Sequence, residues 1–291
     1  MIVSVNALLV FCEGPHDVAF VRMVTRKLMD FKIIELPFKD LPSPFHQLFK
    51  QSVLTHAAKN LSLDMAHKFF LPESVLRKDD QLILLFNCGG KNQYEKIRTL
   101  LSDYLPIFPQ AQTFAQGAKE VVSSVRYLFL YDADTEGLDG VLKNVKTEFS
   151  KIGEINFLNE DWAETSTSEF GKSAGDKAVF VWGESPDQGT LEDILTPMFA
   201  QKHTELMNKA EAAIDNMFTW DTGDTNPKIA VPAIEKKKKS ILTVVGQGAK
   251  PGSSMSVIIE QSKLLKKEDL ETNAISNEFV TFVKNFMDLK A

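Results

Sequence analysis

The chain has few of the features that would place it in a specialised class. Only two cysteines occur in 291 residues, Cys12 and Cys88, and neither has a histidine or second cysteine beside it at zinc-ligand spacing. Each closes an apolar run, so both are expected to be reduced, buried and at the same end of a sheet. No apolar stretch approaches the length of a membrane span, and no basic segment precedes the first short apolar run. The expectation is a cytoplasmic protein without membrane association. Basic residues are in deficit, leaving a net charge of −6, which argues against a surface devoted to nucleic acid. A local basic patch or a bound cation would still permit such binding. There is no Gly-x-x-x-x-Gly-Lys-Ser/Thr loop, so an ATPase could only be a partner in trans. No internal repeat is present.

Two apolar runs carry what chemistry the sequence offers. The first is Leu8-Leu-Val-Phe-Cys-Glu-Gly-Pro-His-Asp17. Its continuous apolar start reads as a strand buried on both faces, as in a helix-covered parallel sheet. Glu13 follows at once, with Gly14 for a tight turn and Pro15 at the first position of a helix. The second is Tyr127-Leu-Phe-Leu-Tyr-Asp132-Ala-Asp134-Thr-Glu-Gly137. Residues two apart on an extended strand point the same way, so Asp132 and Asp134 are expected to converge. If the strands are neighbours, Glu13 joins them with nothing nearby in sequence to neutralise the three. Like charges gathered in this way call for a cation, and Mg²⁺ favours such oxygen donors.

Glu-Gly-x-x-Asp after one strand and Asp-x-Asp-x-x-Gly after a later one resemble the Toprim domain, found in topoisomerases, bacterial primases and OLD-type nucleases. The similarity spans roughly Leu8 to Leu195 and is greatest to short stand-alone prokaryotic Toprim-like proteins. It implies a Rossmann-like three-layer α/β fold with a mostly parallel central sheet. It also implies Mg²⁺-dependent phosphotransfer, with Mn²⁺ as a substitute and a nucleic-acid phosphodiester as substrate. Catalytic roles then fall on Glu13, Asp132 and Asp134, with Asp17 completing a second metal position. Topoisomerase chemistry is not expected: Tyr127 and Tyr131 lie in the strand, and Tyr94 and Tyr104 have no suggestive context. Two alternatives stay open: a module that binds nucleotide or metal without turnover, within a defence or regulatory assembly, and a site that has lost function.

Along the rest of the chain, residues 1–195 are expected to form the Toprim-like domain, with 40–78 a helical insertion. Residues 196–291 form a mainly helical extension packed on the same domain. Lys32 to Leu36 reads as a short strand, Gln81 to Phe86 and Lys177 to Trp182 as buried ones, and 153–176 as irregular surface. Gly89, Gly90 and Lys91 follow a strand and precede a helix, a context suited to phosphate. Thr190 and Asp193 form a capping-box pair before a helix, and Asp187 and Glu192 are further acid candidates for the metal. Helices are expected from Ser253 to Leu265 and from Asn277 to Leu289. The run Lys236 to Lys239 is either a solvated segment or a strip of phosphate contacts.

Overall fold

A computed structural model describes residues 2–57, 71–110, 118–158, 168–220 and 236–289. The apolar run at the start of the chain extends into β1 (Val3–Cys12), followed directly by α1 (Pro15–Leu28). After β2 (Lys32–Ile33) come α2 (Phe45–Ala57), β3 (Ser74–Lys78), β4 (Gln81–Asn87) and α3 (Tyr94–Tyr104). The second motif ends β5 (Glu120–Asp132) and opens α4 (Gly137–Phe149). A small hairpin, β6 (Lys151–Ile152) and β7 (Ile155–Asn156), precedes β8 (Gly171–Ala174) and β9 (Lys177–Trp182). The remaining elements are helices: α5 (Leu191–Met217), α6 (Lys236–Ala249), α7 (Met255–Gln261), α8 (Lys267–Thr272) and α9 (Ala274–Phe286).

Seven strands form one sheet in the order β2-β3-β4-β1-β5-β9-β8. The central four, β4, β1, β5 and β9, are parallel; β3 and β8 pair antiparallel to them, and β2 pairs antiparallel to β3. Helices cover both faces, as the continuous apolar runs require. On one face Phe86, Phe11 and Phe129 lie abreast on adjacent strands, with ring centroids 5.3 and 5.4 Å apart. Phe49 of α2 and Phe149 of α4 close over this row. On the other face Trp182 packs between Phe20 of α1 and Phe279 of α9. This is a mixed α/β architecture with a mostly parallel central sheet.

Several expectations need correction. The segment 40–78 is not wholly a helical insertion, because Ser74–Lys78 is a strand that continues the sheet beside β4. Its polar Arg77 and Lys78 broke the apolar pattern; Arg77 instead pairs with Glu120 at 2.7 Å. Of the helical insertion expected there, Phe45–Ala57 is helix, and 58–70 lies outside the described residues. The strand expected over Lys32–Leu36 is only Lys32–Ile33. Within the segment read as irregular, Gly171–Ala174 is an edge strand. The boundary expected at 195/196 falls inside α5, so the helical extension grows directly out of the domain. The last helices start elsewhere too: Ser254 precedes α7, and Asn273 caps α9 by accepting from the Ser276 N–H at 2.8 Å.

The aromatic row predicts where stability resides. Phe11 is fully buried between two other rings, so Phe11→Ala removes both the transfer energy and the packing. The expected loss is ~3–5 kcal/mol, read from the shift in urea midpoint at unchanged slope.

Candidate functional site

Strand register brings the motifs together. Cys12 stands level with Asn87 on one side and Leu130 on the other, while Asp132 is level with Trp182. The four parallel strands therefore end at one edge, where open α/β sheets bind ligands. Just past it the Glu13 N–H donates to Leu130 O at 3.1 Å, and Glu13 Oε2 lies 3.4 Å from the Asp132 N–H. The expected proximity of Glu13 and Asp132 is present.

A pocket of about 440 Å³ opens there, lined by Glu13, Asp17, Asp132 and Glu192, with His16 and Lys239 at its wall. Asp17 lies in the first turn of α1. Its Oδ2 accepts from the Gly14 N–H at 2.8 Å, whereas its Oδ1 is buried with no hydrogen-bond partner. Asp132 Oδ1 accepts from the Leu191 N–H at 2.8 Å, which ties the end of β5 to the start of α5. Burial, then the charges of Glu13 and Glu192, push the Asp17 carboxyl up to about 7. Burial, then Asp17 and Glu13, raise Asp132 as well, and burial raises Glu13. Burial also acts to raise Glu192. A hydrogen bond from His16 at 3.3 Å and the charge of Lys239 at 3.5 Å outweigh it and hold Glu192 at about 2.

Asp134 does not complete the cluster in the expected way. The strand ends at Asp132, and Asp134 has φ +49°, so the alternation that would align the two side chains no longer applies. Its backbone makes two reciprocal bonds with Gly189, at 2.7 and 2.8 Å. Its carboxylate is 2.8 Å from Lys91 Nζ, which also lies 3.4 Å from Glu136. The neutralising charge that the local sequence lacks thus comes from the loop after β4. Asp187 is exposed, and its N–H donates to Ser185 Oγ at 3.3 Å; it does not line the pocket. Its backbone matters instead. Gly137, at φ +66°, lets residue 187 pass so closely that a Cβ at 137 would lie 2.9 Å from its Cα.

The phosphate expectation also changes. Gly89 and Gly90 line the pocket, but the Gly89 N–H donates to Asn87 Oδ1 at 3.0 Å and the Gly90 N–H to Glu13 O at 2.8 Å. With Lys91 on Asp134, none of the three presents a free anion contact. Gly14, read as a turn glycine, has φ −143°, which any residue adopts. The thiols match expectation: Cys12 and Cys88 are reduced, buried and adjacent, with the Cys88 N–H donating to Cys12 O at 3.0 Å.

Lys236 to Lys239 open α6, where Lys236, Lys238 and Lys239 are exposed to solvent. Cations there oppose the helix dipole, so tertiary partners must compensate. Lys237 pairs with Glu211 and Asp215 at 2.9 Å each, Lys238 pairs with Asp193, and Lys239 reaches Glu192. His16 and Asn87 line the pocket without having been read as site residues, although both lie beside motifs that were. Lys239 comes from the lysine run for which phosphate contacts were one of two readings.

Carboxylate oxygens are the donors that Mg²⁺ and Mn²⁺ take, and the unpartnered Asp17 Oδ1 suits such an ion. Among the described residues, no three acidic, histidine or cysteine side chains are gathered closely enough to ligate one. The residues fit the ion in kind, but Glu13, Asp17, Asp132 and Glu192 would have to draw closer than they stand to hold it.

The raised acids fix the sign of the pH dependence. An acid whose pKa is higher folded than unfolded contributes stability that is fully present below the unfolded value. That contribution is lost as pH rises through the folded value. Asp17, raised from 3.8 to about 7, therefore predicts that the cation-free protein melts higher at pH 5.5 than at pH 7.5. Glu192, held at about 2, acts in the opposite sense only below about pH 4.5, outside this range. Melting curves in EDTA test this, and Asp17→Asn should raise the melting temperature at pH 7.5 and flatten the slope.

No protein of curated function matches the chain. Among solved structures it is similar to a hypothetical protein from Pyrococcus horikoshii OT3, at 14% identity and a TM-score of 0.47, with 98% of this chain and 97% of that one covered. A family model described as protein of unknown function matches residues 7–288, nearly the whole chain, and the chain belongs to that family, DUF3226.

Proposed function

We propose that this protein is a divalent-cation-dependent phosphotransfer enzyme of Toprim type, a nuclease acting on DNA or RNA phosphodiesters. Mg²⁺ is the expected ion and Mn²⁺ its substitute. The observation that carries the reading is the pocket in which Glu13, Asp17, Asp132 and Glu192 meet at the carboxyl edge of the parallel strands. They come from three separated segments, and burial raises Glu13, Asp17 and Asp132, with repulsion from neighbouring acids adding to it. A fold meets that cost without return unless a cation occupies the pocket.

When bound, the ion would supply positive charge against the non-bridging oxygens of a phosphodiester. The chain's own groups do the rest. Glu13 and Asp132 lie at the ends of adjacent strands, so their separation is set by the sheet. Asp17 stands beside them in the first turn of α1, its Oδ1 buried without a hydrogen-bond partner, as an oxygen for the ion. Lys239, half exposed at the wall, offers positive charge to an anionic substrate entering an otherwise acidic pocket.

One observation favours the second reading, a module that binds nucleotide or metal without turnover. Asp134 and Glu192 already have internal cationic partners, which leaves fewer acids free for chemistry.

The experiment is a cleavage panel of single- and double-stranded DNA and RNA with Mg²⁺ or Mn²⁺. Glu13→Gln and Asp132→Asn should each lower cleavage by at least ~100-fold. Asn at 132 keeps an oxygen for the Leu191 N–H, so the loss would be chemical rather than structural. Absence of cleavage across the panel, or equal cleavage by both variants, selects the binding module.

A further inference from the structure

We propose that Lys91 is an exchangeable counter-ion: its ammonium holds Asp134 while the pocket is cation-free, and Asp134 must leave it for a divalent cation to bind. The inference rests on the cation-site reading above and adds a residue and a mechanism to it.

The acids divide into two sets. Among the described residues Glu13, Asp17 and Asp132 have no basic side chain bonded to them, and their partners are backbone N–H groups. Asp134 and Glu192 are bridged to basic side chains, Asp134 to the Lys91 ammonium and Glu192 to the His16 ring and the Lys239 ammonium. The two tethered acids come from the loop that follows β5 and from the first turn of α5. Such an arrangement compensates an acidic pocket from its edges while leaving the centre uncompensated.

Asp134 can change partner because its backbone is fixed and its side chain is not. The two bonds with Gly189 set the main chain at 134, and Gly189 itself cannot shift freely. With φ at +107°, a Cβ there would lie 2.5 Å from the Glu184 N–H nitrogen. The side chain is held by the ion pair with Lys91 alone and is 42% exposed, so rotation about its own bonds is its remaining freedom. Both ends of the pair act on Glu13, Asp134 raising it and Lys91 lowering it, which places the pair within electrostatic reach of the pocket. Lys91 need not be stranded by the exchange, because Glu136 is a second partner at 3.4 Å. Burial acts to lower Lys91, but the bond it donates to Asp134 and the charges of Asp134 and Glu136 outweigh it, so the ammonium is held charged in the pair.

The consequence is a threshold. A divalent ion must compete with Lys91 for Asp134, so affinity is lower than the donor set alone would give. Removing Lys91 therefore tightens binding, the opposite of what loss of a structural or phosphate-binding lysine would do.

The test is calorimetric titration of MnCl₂ into the metal-free full chain. Lys91→Met keeps the stem and removes the charge, and Lys91→Gln serves if the first variant loses its native circular dichroism. Expected is binding on the order of five- to tenfold tighter than wild type, the size of a partly screened ion pair. The gain should vanish when Asp134→Asn is added, since the acid that benefits is gone. Binding to wild type that is unchanged or weakened by Lys91→Met overturns the exchange but leaves the cation site standing. Absence of binding to wild type and Lys91 variants alike overturns the cation reading, and the exchange with it.

Discussion

Register in a parallel sheet is indifferent to charge, and the site depends on that indifference. Backbone bonds hold Cys12 level with Leu130 and Asn87 because the apolar faces above and below demand it. Glu13 and Asp132 are the next residues at the strand ends, so they are brought together by packing that gains nothing from their meeting. Phe11, Phe86 and Phe129 on one face and Trp182 on the other oppose any slip that would separate them. Aromatic burial on both faces stabilises the core by far more than a few unfavourable carboxylate contacts cost. The repulsion therefore appears as raised acids rather than as a changed fold.

Charge then organises the outer layer. Helix α6 starts with four lysines, an arrangement its dipole disfavours, and the acids of α5 make it tolerable. The same pairing sets Lys239 beside Glu192 at the pocket wall. On the opposite flank, Lys91 reaches from the loop after β4 to Asp134. Each lysine is remote in sequence from the acid it serves.

That remoteness decides what could be read in advance. Continuous apolar runs marked β1, β4 and β9 and the end of β5, and glycine- and proline-punctuated acids marked the edge where ligands would bind. Glu13, Asp17, Asp132 and Glu192 were legible as acids at strand ends or helix starts, where the local pattern carries the position. Asp134 was misread because alternation was extended past the point where the strand stops; a positive φ two residues on reorients a side chain, and no spacing rule reveals it. β3 was hidden by its charges: Arg77 and Lys78 are polar in a strand next to the sheet edge, where a lateral partner such as Glu120 can satisfy them. The Gly-Gly-Lys stretch was in a suitable context for phosphate, but which N–H groups remain free is a tertiary fact, settled by Asn87 and by Glu13 O.

Asp17 shows why acids at this edge cannot be assigned by position alone. Its Oδ2 closes the first turn of α1, a role that needs a side-chain oxygen to accept the Gly14 N–H. Its Oδ1 has no such reason to be where it is: a buried carboxylate oxygen without a donor costs energy in every state except one that brings a donor or a cation to it. A residue kept only for capping would serve better as Asn or Ser, which accept the same bond without a charge. The excess of charge over what the cap requires is therefore the part of Asp17 that belongs to the pocket. The same reasoning applies to Asp132, whose bond to the Leu191 N–H needs an oxygen but not an ionised one. In both residues the fold accounts for one oxygen and leaves the charge to be accounted for by what the pocket binds.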